Sequence, residues 1–109
     1  MTMDWDKAAA LLAPARRVLV LTHVSPDGDA IGAMLGLASA LRDLGKDVQM
    51  AVDEGVPSDL AFLPGSADVR AALGSVQTDL VIAVDCGDES RMGDVGRAAR
   101  RGGAPLINL

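Results

Sequence analysis

His23, Asp27 and Asp29 fall within seven residues of one another, in the stretch Leu-Val-Leu-Thr-His-Val-Ser-Pro-Asp-Gly-Asp-Ala-Ile-Gly that runs from Leu19 to Gly32. His23 is the single histidine of the chain. An imidazole and two carboxylates on a turn softened by Gly28 can converge on a divalent cation. One histidine in such oxygen-rich company favours a hard-to-intermediate ion such as Mn2+ over structural zinc. Taken singly, each residue has a blander reading: Asp29 directly before a helix is an N-cap, Asp27 beside Gly28 is a turn residue, and His23 is a loop histidine. Together they would repel one another or stand idle unless a cation or substrate used them, so a metal site is the better expectation.

The elements that must position these groups can be read from apolar patterning. Val18 to Leu21 is apolar without alternation, the pattern of a strand buried on both faces in a parallel sheet. From Ala30 to Leu44 the residues Ile31, Met34, Leu35, Ala38, Leu41 and Leu44 recur at three- and four-residue steps, and Gly45 ends that helix. Gly32 and Gly36, one turn apart within it, point to a close approach of the helix to the sheet or to a ligand. Lys46 to Val52 reads as a second strand, which makes a βαβ unit. Upstream, Asp4 to Leu12 reads as a short helix stopped by Pro14.

Further along, Asp53 to Asp68 has the Pro and Gly content of a loop around the apolar piece Leu60 to Leu63, and Val69 to Leu73 suggests a helical turn. Leu80 to Val84 is another buried strand, and it ends in Asp85-Cys86-Gly87-Asp88. A parallel sheet would bring this strand end near the first, so Asp85 can complete a site that Asp27 and Asp29 begin. Asp88 reads as a turn or capping residue and Cys86 as a packing residue. Ser90 to Arg101 reads as a helix with Met92, Val95 and Ala99 inward and a solvated face of Arg97, Arg100 and Arg101. Pro105 to Leu109 begins one more strand. The fold class expected is α/β, a mostly parallel sheet with helices on both faces in a Rossmann-like three-layer sandwich, whose active sites lie at strand carboxyl ends.

Composition narrows the functions. The 109 residues are one domain at most, half apolar, with one Trp, one Phe and no Tyr, so the core must be aliphatic. A net charge of −5 argues against a large basic surface for nucleic acid, while a small anionic substrate held through a metal remains compatible. The lone cysteine forms no internal disulfide. No apolar run reaches the roughly 18 residues of a membrane span, and the amino end lacks the order of a signal peptide. We therefore expect a cytoplasmic protein with no membrane partner. Asp27-Gly28-Asp29 is not an EF-hand start, because Ile31 stands where an oxygen ligand belongs, and there is no phosphate-binding Gly-x-x-x-x-Gly-Lys loop.

His23-Val-Ser-Pro-Asp27-Gly-Asp29-Ala-Ile-Gly32 closely resembles the first motif of the DHH phosphoesterase superfamily, and Val84-Asp85-Cys86-Gly87-Asp88 resembles its second. Val56-Pro57 through Phe62-Leu63-Pro64-Gly65 resembles a segment of its bacterial branch of oligoribonucleases and 3′-phosphoadenosine 5′-phosphate phosphatases, relatives of the RecJ exonucleases. The resemblance extends from Val18 to Leu109. It implies that His23 and Asp27 bind one Mn2+, that Asp29 binds a second and that Asp85 bridges the two, so that Asp27, Asp29 and Asp85 are catalytic through the ions they hold. Mg2+ is the alternative cation. Two such ions, about 3.5 to 4 Å apart, support in-line phosphoester hydrolysis, with a short oligonucleotide or a nucleotide bisphosphate as the substrate.

The resemblance also implies an Asp-His-His motif, a further acidic ligand and a separate substrate-binding domain after Ile107-Asn108-Leu109, none of which these 109 residues contain. We expect the chain to be the amino-terminal part of such an enzyme, inactive alone, with a homodimer among its candidate assemblies. The competing expectation is a non-catalytic module that binds metal or nucleotide, or packs against a partner.

Overall fold

Val18 to Leu21 carry no alternation because they lie in the middle of a sheet covered on both faces. The computed structural model describes residues 5–74 and 77–109. In chain order it has helix α1 (Trp5–Leu12), strand β1 (Arg17–Leu21), helix α2 (Gly28–Asp43), strands β2 (Asp47–Ala51), β3 (Val69–Arg70) and β4 (Leu80–Ala83), helix α3 (Gly93–Arg101) and strand β5 (Leu106–Asn108). The expected helix start at Asp4 lies outside the described residues. The strands form one parallel sheet in the order β3-β2-β1-β4-β5, which confirms the α/β class. Among the described residues no helix is long and apolar enough to cross a membrane.

Strand periodicity divides the core into two halves. Val18, Val20, Val48, Met50, Leu80 and Ile82 face α2 through Ile31, Met34, Ala38 and Leu41, and Leu11 and Leu12 of α1 pack on the same side. Leu19, Leu21, Val81 and Ala83 face the other way, against Val95 and Ala99 of α3 and Met92 just before it. Successive strand residues point to opposite faces, so β4 and β1 from Val18 onward need apolar residues at every position.

Several local expectations change. Helix α2 starts at Gly28, two residues before the expected start, because Asp27 caps it: Asp27 Oδ1 accepts from the Ala30 N–H at 2.9 Å. Its far end is a Schellman closure, with Gly45 at φ +84° and the N–H groups of Gly45 and Lys46 donating to Arg42 O and Leu41 O. Gly32 and Gly36 do not serve a close approach of the helix to the sheet, since a Cβ built on either meets no atom of the described residues within 4 Å. Val69 to Leu73 is not a helical turn: Val69 and Arg70 pair in parallel with Met50 and Ala51. The unpaired edge of β2 supplies hydrogen bonds to these two residues, which local propensity could not foresee. The helix expected from Ser90 is interrupted, a 3-10 turn over Glu89–Met92 being followed by α3.

The amino ends of the strands are tied by Asp79. Its Oδ2 accepts from the N–H groups of Arg16 and Arg17 at 2.9 and 3.0 Å. These backbone donors, Arg17 foremost, hold the carboxyl below its usual range. The N–H of Ser90 does the same for Asp88, the cap of the 3-10 turn, and the arginine charges nearby act in the same direction. A carboxylate whose pKa is depressed in the folded state adds stability that is present above the unfolded value, about 3.9, and is lost as pH falls through the folded value. A urea-midpoint series on the wild type should therefore decline steepest below about pH 4, and Asp79→Asn should flatten that decline while lowering the plateau near neutrality. Identical acid limbs in the two proteins would contradict this role.

Candidate metal centre

The register of β1 on β4 pairs Leu21 with Ala83, so His23 and Asp85 each stand two residues beyond a paired position, at the same edge of the sheet. Chain connections leave β1 toward β2 on one side and β4 toward β5 on the other, and the crevice between β1 and β4 is thus the topological switch point. Thr22, fully buried, donates its hydroxyl to Val84 O at 2.8 Å and clamps the two strand ends together.

His23 is oriented by its neighbour. Its Nδ1 lies 2.7 Å from Val24 O, and because a carbonyl only accepts, Nδ1 donates and Nε2 is the nitrogen left to face the site. Nε2 looks toward Asp85 Oδ2, 3.8 Å away. Asp85 has φ +51°, a left-handed conformation that Asp tolerates better than most residues and that ends the strand in a sharp turn. Asp27 joins from the amino end of α2, where its N-cap bond occupies Oδ1. One ligand atom each from His23, Asp27 and Asp85 lie within 4.8 Å of one another. The side chain of His23 is largely buried and that of Asp85 is half exposed, so solvent reaches the cluster on one side.

The donor set fits a divalent cation. Two carboxylates turned toward each other are mutually repulsive without a positive charge between them, and the imidazole nitrogen beside them is a third ligand atom. The arginines that pair with acids do so elsewhere, Arg97 with Asp94 and Arg100 with Glu89. One neutral nitrogen plus carboxylate oxygens suits Mn2+ or Mg2+ better than a soft ion.

Asp29 lies in the first turn of α2, exposed and outside the convergent group of three. The N-cap that its position suggests belongs to Asp27 instead. Cys86 is buried and donates to Asp88 O at 3.0 Å, and burial pushes its thiol pKa up, the opposite of what a nucleophile requires. Arg97, Arg100 and Arg101 are exposed on α3. A polar hollow of about 220 Å³ lined by Arg17, Asp47, Gln49 and Gln77 lies at the opposite, amino end of the strands, away from this chemistry.

Sequence reasoning passed over Asp53. It directly follows the buried pair Ala51 and Val52, the same signal of an acid past a buried apolar run that marks Asp85. Its carboxylate accepts from the N–H groups of Asp94 (2.8 Å) and Val95 (2.9 Å) at the start of α3.

Fold and site together define a doubly wound parallel α/β domain with a candidate metal centre at its switch point. The chain belongs to the DHH family: residues 17–107 match the family's N-terminal domain. It is 36% identical over 93 residues to the bifunctional oligoribonuclease and PAP phosphatase NrnA of Thermus thermophilus, an alignment covering 81% of this chain and 28% of that protein. It is also similar to the crystal structure of an exopolyphosphatase-related protein from Bacteroides fragilis, with a TM-score of 0.84 and 27% identity over 95% of this chain and 33% of that one. The chain thus spans about a third or less of the length of either relative.

Proposed function

We propose that this domain belongs to a metal-dependent phosphoesterase, acting with Mn2+ on short oligonucleotides or on 3′-phosphoadenosine 5′-phosphate, and that these 109 residues form the first part of its catalytic domain within a longer enzyme. The observation that carries the reading is the convergence of His23, Asp27 and Asp85 at the β1–β4 switch point. The family match and the activities named for the Thermus relative support it.

Electrostatics favour the same conclusion. Asp27, Asp85 and the nearby Asp29 put three carboxylates around one imidazole, a field that repels a phosphodiester; a phosphate can approach only when cations reverse it. When bound, a divalent cation supplies Lewis acidity toward the phosphoryl group and a water acidic enough to attack at neutral pH. His23 and Asp27 would hold one ion, Asp85 would be shared, and Asp29 would serve a second. The chain itself contributes the proton on Nδ1, which keeps Nε2 free as a ligand, and the left-handed turn at Asp85, which aims its carboxylate across the end of β1. It also contributes the cap at Asp27, which fixes one oxygen and leaves the other available. The amino end of α2 adds partial positive charge beside them.

Calorimetric titration with Mn2+ of the chain and of His23→Ala tests the metal. The wild type is expected to take up about one ion, and the variant to bind at least about tenfold more weakly, given the direct ligand lost. A folded chain that binds no Mn2+ overturns the reading. A diribonucleotide and 3′-phosphoadenosine 5′-phosphate are then titrated with and without Mn2+. Phosphoester binding only in its presence supports the phosphoesterase, whereas Mn2+ uptake with no phosphoester binding points to a metal-binding module.

A further inference from the structure

The ring of His23 is oriented by Val24, and Val24 is itself held from elsewhere in the fold. Its N–H donates to Arg91 O at 2.6 Å, and its Cγ1 lies so near Gly93 that a Cβ there would come within 2.7 Å of it. Arg91 belongs to the 3-10 turn after β4, two residues before Gly93, which has φ +66° and ψ −147°. Asp53, at the end of β2, grips the next two amides through both carboxylate oxygens. The ends of β1 and β2 and the segment after β4 therefore meet through three hydrogen bonds and one tight backbone approach, and the chain of contacts ends on Nδ1 of the candidate metal ligand.

Capping alone would explain one oxygen of Asp53 on one amide. It does not explain why the carboxylate comes from the turn after β2, 41 and 42 residues away in sequence, nor why the residue beside it must be a glycine with no room for a side chain.

We propose that Asp53 is a positioning residue for His23: by fixing the start of α3 it fixes the Arg91 carbonyl and the Val24 peptide, and so keeps the imidazole in the tautomer whose Nε2 can bind a cation. The inference rests on the proposed role of His23, and its first readout needs no metal. Metal-ligating histidines commonly depend on such an outer hydrogen bond for ring orientation; here the holding group is one step further out, in the turn after a neighbouring strand.

His23 is the only histidine, so its ring nitrogens give unambiguous ¹⁵N signals. In the metal-free wild type Nδ1 is expected to be the protonated nitrogen, as its contact with the Val24 carbonyl requires. Asp53→Ala is expected to mix the tautomers and to weaken Mn2+ binding by about tenfold, the lower end of outer-shell effects. Asp53→Asn retains one acceptor oxygen and should recover part of both, and it serves as the test variant if the alanine form does not fold. Asp79→Ala is the control, because Asp79 grips two backbone amides in the same way at the opposite end of the sheet. It should lower stability and leave the His23 signals unchanged.

Unchanged His23 signals in the Asp53 variants overturn the proposal, as does an equal change in Asp79→Ala. If the tautomer responds to Asp53 while the wild type takes up no Mn2+, the positioning contact stands and the phosphoesterase reading fails.

Discussion

Gly93→Ala is expected to destabilise the fold by on the order of 3 kcal/mol, from backbone strain and overpacking together. The φ of +66° and ψ of −147° place residue 93 in a region that only glycine occupies without strain. An added Cβ also collides with the Asp53 carboxylate and approaches Val24 Cγ1 to 2.7 Å. Neither neighbour can retreat easily, since Asp53 is bonded to two amides and Val24 is bonded to Arg91 O. For a domain of this size the loss corresponds to a fall in Tm of roughly 10–20 °C. Gly36→Ala is the contrast: in the middle of α2, with nothing within 4 Å of the new Cβ, it should stabilise by about 0.5–1 kcal/mol. Urea unfolding of the two variants beside wild type checks both signs. Combining Gly93→Ala with Asp53→Ala should cost less than the sum of the two, because the second substitution removes one of the colliding groups. A Gly93→Ala protein as stable as wild type would show that the approach between β2 and α3 is looser than described.

Asp85→Asn should separate stability from metal binding. Asn tolerates the left-handed conformation about as well as Asp, so φ +51° places no new strain on the fold. Removing one of the clustered carboxylates also relieves repulsion with Asp27, and the metal-free variant is expected to be at least as stable as wild type. Its cation affinity should fall by about a hundredfold or more, the loss of a charged direct ligand exceeding the 10–100-fold typical of outer-shell changes. With Mn2+ at about one hundred times its dissociation constant, the wild type gains about 2.7 kcal/mol, and Asp85→Asn at the same concentration should gain almost none. Thermal melts with Mn2+ and with EDTA measure this directly. Equal Mn2+ stabilisation in the two proteins would remove Asp85 from the metal centre and with it the proposed site.

Much of the fold is legible in the chain because it is carried by contiguous residues. The unbroken apolar runs at 18–21 and 80–84 announce strands covered on both faces, and the three- and four-residue spacing from Ile31 to Leu41 announces α2 and its buried side. The Gly45 closure follows from the need for a positive φ at a helix end. His23 and Asp27 stand out because ligand-type side chains crowd a short turn after a buried strand, and Asp85 because an acid follows another such run. These are local signals, and local physics produces them.

Tertiary structure decided which of those signals meet. Residues 23 and 85 are 62 positions apart, and only the placement of β4 directly beside β1, with Leu21 opposite Ala83, brings an imidazole nitrogen and a carboxylate to 3.8 Å. That placement depends on the packing of two helical layers on a five-stranded sheet, a property of no single segment. The same holds for the division of work between Asp27 and Asp29. Either could cap a helix, and the choice of Asp27 follows from where the turn after His23 can meet the first turn of α2. Val69 and Arg70 became a strand because the edge of β2 offered unpaired backbone groups, and Gly93 breaks the helix expected from Ser90 because Asp53, in the turn after β2, grips the amides beside it. By itself, then, the sequence determined the main strands, α2 and the side-chain types of the candidate site, since spacing and side-chain type are written along the chain. Strand order and register determined which groups share the site, because hydrogen-bonded neighbours across a sheet are chosen by the whole core.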